Sequence, residues 1–159
     1  MKVSSIAILK KELQSLSQEE LLSACLRLAK YKVENKELLN YVLFDAQDEE
    51  NYIERVKEEI TLEMAKMNSL NYYFAKKTIR RVLKIVKKQI KYSGNKKTEI
   101  ELLIFFCETL KNTRIPISGN TALENLFNRQ IININKALST MHEDLQYDYK
   151  EQISNLTDF

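Results

Sequence analysis

Ten basic side chains and no carboxylate occupy the segment Lys76 to Lys97: Lys76, Lys77, Arg80, Arg81, Lys84, Lys87, Lys88, Lys91, Lys96 and Lys97. With +10 in this segment and +3 in the whole chain, the remaining residues sum to −7. At about 100° per residue, the eight cations from Lys76 to Lys91 fall within an arc of about 140° on a helix. Ile79, Val82, Leu83, Val86 and Ile90 take the opposite side. Like charges four apart, such as Lys77/Arg81, Arg80/Lys84, Lys84/Lys88 and Lys87/Lys91, repel by a few tenths of a kcal/mol each, so a compensating anion is expected. Nucleic-acid phosphate suits a straight cationic stripe without any reading of sequence. An acidic protein suits it too. A membrane surface suits it less, because the apolar side is needed for the core. Tyr72-Tyr73-Phe74, just before the stripe, offers rings that could stack on bases or pack between helices.

The compensation can also be internal. Asp45, Asp48, Glu49, Glu50, Glu54, Glu58, Glu59 and Glu63 share one segment with only Arg55 and Lys57. An antiparallel pairing of this helix with the basic one would bring the two charge runs together; the alternative is a solvated stripe, at little energetic consequence.

A second polar constellation is Met141-His-Glu-Asp-Leu-Gln-Tyr-Asp-Tyr149. His142-Glu143 begins like the two-histidine zinc motif, but position 146 is Gln where the second imidazole would stand. On a helix Asp144 and Asp148 lie four apart, with Glu151 a turn further on, which would make a small oxygen-lined cation site; His142 faces Gln146. The alternative is an ordinary polar face whose tyrosines cap the core edge. His142, Glu143, Asp144 and Asp148 therefore form a secondary candidate cluster. The chain has one histidine, and its two glycines, 94 and 119, are too few for any phosphate-binding glycine loop or nucleophile elbow.

The elements that position these residues are helices. Only Gly94, Gly119 and Pro116 punctuate 159 residues, too few for the turns of a barrel or sandwich. Hydrophobic residues make up 44% and charged residues 30%, so a real core is available and a disordered tail is excluded. Ser17-Gln-Glu-Glu20, Thr98-Glu-Ile-Glu101 and Thr121-Ala-Leu-Glu124 each match a capping box ahead of an apolar periodicity.

The spacing predicts helices over about 5–15, with Ile6, Leu9, Leu13 and Leu16 on one side, and 18–31, burying Leu21, Leu22, Cys25, Leu28 and Ala29. Further helices follow over about 35–46, 48–67 and 70–92, the last stopped by Gly94 in a left-handed conformation. The next, over 99–112, is apolar nearly all round at Leu102 to Cys107 and belongs at the centre of the packing. After Asn120, apolar residues recur from Leu123 to Leu145 as one long helix bent near His142 or two consecutive ones. The expected fold is all-α, an irregular helical bundle or a short α-solenoid-like array of about seven helices, in a single domain over 1–159.

Two cysteines cannot build a disulfide scaffold or a four-ligand zinc site, and the neighbours of Cys25 and Cys107 predict two buried, reduced thiols. The first eleven residues interleave charge too closely for a signal-peptide core. The longest strongly apolar run, 102–107, falls far short of the roughly 20 residues of a membrane span. A cytoplasmic protein is expected.

Four stretches carry a likeness to a known group: Lys10-Lys-Glu-Leu-Gln-Ser-Leu-Ser-Gln-Glu-Glu-Leu-Leu22, Ala75-Lys-Lys-Thr-Ile-Arg-Arg-Val-Leu83, Ile90-Lys-Tyr-Ser-Gly94 and His142-Glu-Asp-Leu-Gln-Tyr-Asp-Tyr149. In these the chain resembles an uncharacterised bacterial family of small all-helical proteins, a domain of unknown function. The resemblance implies a bacterial source and an all-α fold, and no activity, cofactor or catalytic residue. The leading expectation is a non-enzymatic helical adaptor or scaffold whose basic helix, 76–91, contacts an anionic partner, foremost a protein, or its own acidic helix. The alternative is a sequence-tolerant nucleic-acid-binding protein using the same stripe, with Tyr72 or Tyr73 for stacking. A metal-dependent activity around 142–148 is a third reading; no residue is assigned as catalytic or as a metal ligand, and no cofactor is expected.

Overall fold

A computed structural model describes residues 2–157. The chain is all-α: eight α-helices and no strand among the described residues. They are α1 (Ile6–Ser15), α2 (Gln18–Tyr31), α3 (Val33–Asn40), α4 (Glu49–Ala65), α5 (Tyr72–Ser93), α6 (Lys96–Lys111), α7 (Thr121–Leu138) and α8 (Glu143–Thr157), with a π-helical turn at Tyr41–Asp45. Expected as one domain over 1–159, the chain divides into two compact units, Met1–Phe44 and Asp45–Phe159.

The helix ends follow from local chemistry. Ser17 Oγ accepts from the Glu20 N–H at 3.2 Å while the Ser17 N–H donates to the Glu20 carboxylate at 2.7 Å, a complete capping box that starts α2. Donation from the Ser17 backbone also holds the Glu20 carboxyl below its ordinary pKa. Asn71 starts α5, its side chain accepting from the N–H groups of Tyr73 and Phe74. Gly94 stops α5 at φ 64, its N–H donating to the Ile90 carbonyl at 2.9 Å, as expected of a glycine that tolerates this region.

The other two expected boxes shift. Asn95, not Thr98, caps α6 by accepting from the Lys97 N–H at 2.9 Å, and Thr98 becomes a fully buried first-turn residue. Asn120 caps α7 by accepting from the Leu123 N–H, and Glu124 reaches back to the Gly119 N–H at 2.8 Å. Asparagine caps as well as serine or threonine, so the earlier residue prevails. The C-terminal periodicity resolves into two consecutive helices, separated by residues 139–142.

In the second unit α6 is the central element, touching α4, α5, α7 and α8. Ile100, Leu102, Phe106, Cys107 and Leu110 are wholly enclosed. The apolar sides of α4 (Ile53, Val56, Ile60, Met64) and α5 (Ala75, Ile79, Val82, Val86) and those of α7 and α8 complete this core.

The first unit is different. No residue of α1, α2 or α3 is buried, and Leu28 is 63% exposed. The expectation that Leu21, Leu22, Cys25, Leu28 and Ala29 are buried is corrected here: Leu22, Cys25 and Leu28 are exposed, Leu21 and Ala29 half-buried. A unit this short has too little volume to enclose a core, so its amphipathic helices cover one another only in part.

The expectation of two buried thiols fails for the same reason, since Cys25 is exposed and only Cys107 is buried. Burial pushes the Cys107 thiol up to about 12. An aqueous thiol reagent is therefore expected to modify one cysteine per folded chain at pH 8, and none in Cys25→Ser. Rapid modification of both thiols without denaturant would contradict this placement.

A candidate anion-binding face

The stripe occupies α5 because α5 gives its other side to the core. α4 and α5 run antiparallel, with a register fixed by three contacts. Tyr52 Oη donates to Gln89 Oε1 at 2.8 Å, Ser93 Oγ donates to Glu49, and Arg81 pairs with Glu63 at 2.9 Å. The two helices meet through their apolar sides, so their charged sides diverge.

Most acids of residues 45–63 accordingly have partners off the stripe, while Glu58 and Glu59 stand exposed. Asp45 pairs with Arg55, Glu54 with Lys57 at 2.8 Å, Glu63 with Lys66, and Glu50 with Lys97 at 3.6 Å. Asp48 caps α4, and Glu49 accepts from Ser93 and Thr98. The hydrogen bond from Lys66 is the main reason the Glu63 carboxyl lies below its ordinary pKa, with Arg81 adding to the effect.

Arg81–Glu63 is an ion pair between the acidic segment and the stripe. Lys76 lies over the Tyr72 ring, 4.9 Å from its centroid, and Lys88 over the Tyr92 ring at 5.9 Å. Lys77, Arg80, Lys84, Lys87 and Lys91 are exposed, and no described carboxylate lies within ion-pair distance of them. From Lys76 to Lys91 the stripe is about 22 Å long at 1.5 Å per residue.

At its N-terminal end Tyr73 and Phe74 are exposed and meet edge to face, centroids 5.5 Å apart. Tyr72 is engaged differently, its ring under Lys76 and its hydroxyl buried without a hydrogen-bond partner; burial pushes this phenol upward. Of the two tyrosines considered for stacking, Tyr73 presents an open ring.

The secondary cluster is not gathered into one place. His142 and Asp144 have side chains 76% and 92% exposed, with Nδ1 3.4 Å from the carboxylate and accepting the Asp144 N–H at 3.3 Å. Glu143 is exposed in the first turn of α8. Asp148 instead lines a cleft of about 440 Å³ formed by α4, α6 and α8. Among the described residues no three His, Cys, Asp or Glu side chains are grouped to hold a metal ion.

That cleft was not foreseen from sequence. Glu101 is its hub, 3.6 Å from Lys57 Nζ, 3.8 Å from Lys97 Nζ, and accepting from Tyr149 Oη at 3.1 Å. Burial first, then the Glu101 charge, pushes the Tyr149 phenol up to about 12. Lys57, Lys97, Glu101 and Tyr149 satisfy one another and tie α8 to α4 and α6, while the exposed Glu108 and Asp148 carboxylates complete the lining. No helix of the described residues is long and apolar enough to cross a membrane. No protein-family model, no curated protein and no solved structure matches this chain.

Proposed function

We propose that the protein is a non-enzymatic helical adaptor that holds an anionic protein partner on the exposed side of α5. The observation that carries this reading is the row Lys77, Arg80, Lys84, Lys87 and Lys91, exposed and without a carboxylate partner among the described residues. A bundle whose α6 core is complete beneath that row gives it a rigid backing. A cytoplasmic setting and kinship with the bacterial family belong to the same reading, and two free cysteines are consistent with a reducing compartment.

A second reading, sequence-tolerant nucleic-acid binding, is favoured by the open rings of Tyr73 and Phe74 at the end of the stripe. Fluorescence anisotropy separates the two. The full chain is titrated with labelled single- and double-stranded DNA, RNA and an acidic peptide at several salt concentrations, beside Lys84→Glu/Lys87→Glu/Lys91→Glu. The adaptor reading expects the peptide to bind and the nucleic acids not to. The second reading expects a log–log salt slope of about −0.9 per phosphate contact on duplex DNA. In either case the triple variant weakens binding by roughly 10²-fold, since three cations are lost and three repulsions added, while its melting curve stays near that of the parent. Absence of binding to every anion at low salt overturns both.

A further inference from the structure

We propose a second docking site in the first unit: the groove between α2 and α3 receives an acidic amphipathic helix of a partner protein. The groove has a volume of about 550 Å³, and Leu26, Val33, Leu43 and Phe44 form its apolar lining. Val33 is 69% and Phe44 67% exposed, a cluster of large apolar groups that water alone covers poorly. Asn35 Nδ2 donates to the Leu28 carbonyl at 2.8 Å, tying α3 to α2 and keeping the groove formed. A trough between two packed helices accepts the ridge of a third, through apolar residues repeating at i, i+3 or i+4, and i+7.

Charge selects the occupant. Lys30, Lys32 and Lys36 stand around the groove, its lining contains no carboxylate, and no described carboxylate lies within ion-pair distance of the three. Glutamate or aspartate flanking the apolar stripe of the incoming helix would meet these ammonium groups as its apolar side enters. A second copy of the chain fits less well. Residues 1–44 carry seven Lys and Arg against five Asp and Glu, so two such units repel, and the acidic helix α4 already has its apolar side in its own core. The neighbouring hollow beside Cys25, Leu28 and Val42 has no charged lining and selects nothing.

The site shares no residue with α5, and the test keeps the two apart. The full chain is titrated with a fluorescein-labelled designed helix bearing leucine at i, i+3, i+7 and i+10 and glutamate on its flanks. Two controls accompany it, a scrambled peptide of equal composition and a version with lysine for glutamate. Micromolar binding is expected for the acidic amphipathic peptide. It falls at least tenfold with either control, with Lys30→Glu/Lys32→Glu/Lys36→Glu, and with Leu43→Ser/Phe44→Ser, whose exposed side chains leave the fold intact. Lys84→Glu/Lys87→Glu/Lys91→Glu leaves it unchanged.

Four results overturn the proposal. The first is no binding. The second is equal binding of the scrambled peptide, or loss confined to the α5 variant. The third is binding to phosphatidylglycerol vesicles with none to the peptide. The fourth is a dimer in sedimentation that Leu43→Ser/Phe44→Ser dissociates.

Discussion

Phe106→Ala is expected to lower stability by about 3–5 kcal/mol, the usual cost of emptying a fully enclosed aromatic site. Phe106 has no exposed surface, and it lies on the helix that touches α4, α5, α7 and α8. The vacated volume is walled by several elements at once, so no single side chain can swing in to refill it. Near the midpoint this corresponds to a fall of roughly 10–20 °C in melting temperature. Leu28→Ala makes the contrast within the same chain. Leu28 is 63% exposed, and truncating it is expected to change stability by no more than about 0.5 kcal/mol. Differential scanning calorimetry of both variants checks the pair. A Phe106→Ala protein that melts within two or three degrees of the parent, about the effect of a surface change, would remove α6 from the centre of the fold. A Leu28→Ala cost as large as that of Phe106→Ala would show that the first unit has a core after all.

The contrast also marks what sequence makes legible. α2 begins and ends where its capping box and periodicity place it. α6 is central because a helix without a polar side has no orientation that leaves one side in water. Both are properties of a single segment. Cys25 and Leu28 are exposed against expectation because periodicity reports that a helix has an apolar side, not whether another element covers it. The starts of α6 and α7 moved because Asn95 and Asn120 compete for the same unsatisfied N–H groups as Thr98 and Thr121. The cationic side of α5 could be drawn from spacing alone, but its ion pairs depend on how α4 is rotated about its axis. That rotation is set by Ile53, Val56 and Ile60 entering the core, which turns most of the acids away from the stripe. The cleft around Glu101 is further from reach, since Lys57, Glu101 and Tyr149 come from three helices that only the packing of α6 brings together.

Alkaline solution is expected to unfold this protein through Cys107, with Tyr149 adding to the effect at higher pH. Burial pushes the Cys107 thiol from an ordinary value near 9 up to about 12, and the neighbouring Glu108 carboxylate adds to the shift. Below pH 9 the thiol is neutral in both folded and unfolded chains and contributes no pH dependence. Between pH 9 and pH 12 the unfolded chain releases the proton and the folded one retains it, so stability falls by about 1.4 kcal/mol per pH unit. By pH 12 the loss is on the order of 4 kcal/mol, a large fraction of a typical domain's stability. Tyr149 works in the same direction from a later onset. Its phenol is raised from 10 to about 12, so the loss begins near pH 10, and solvent screening makes it smaller than the shift alone suggests. Urea melts at pH 7, 9, 10 and 11 on the parent, Cys107→Ala and Tyr149→Phe resolve the two. Cys107→Ala should be less stable at pH 7, through its cavity, yet flatter between pH 9 and 10. Tyr149→Phe should keep the parent's onset and soften the slope above pH 10. A Cys107→Ala profile parallel to the parent's between pH 9 and 10 would assign the alkaline loss to other groups and place the thiol in contact with water.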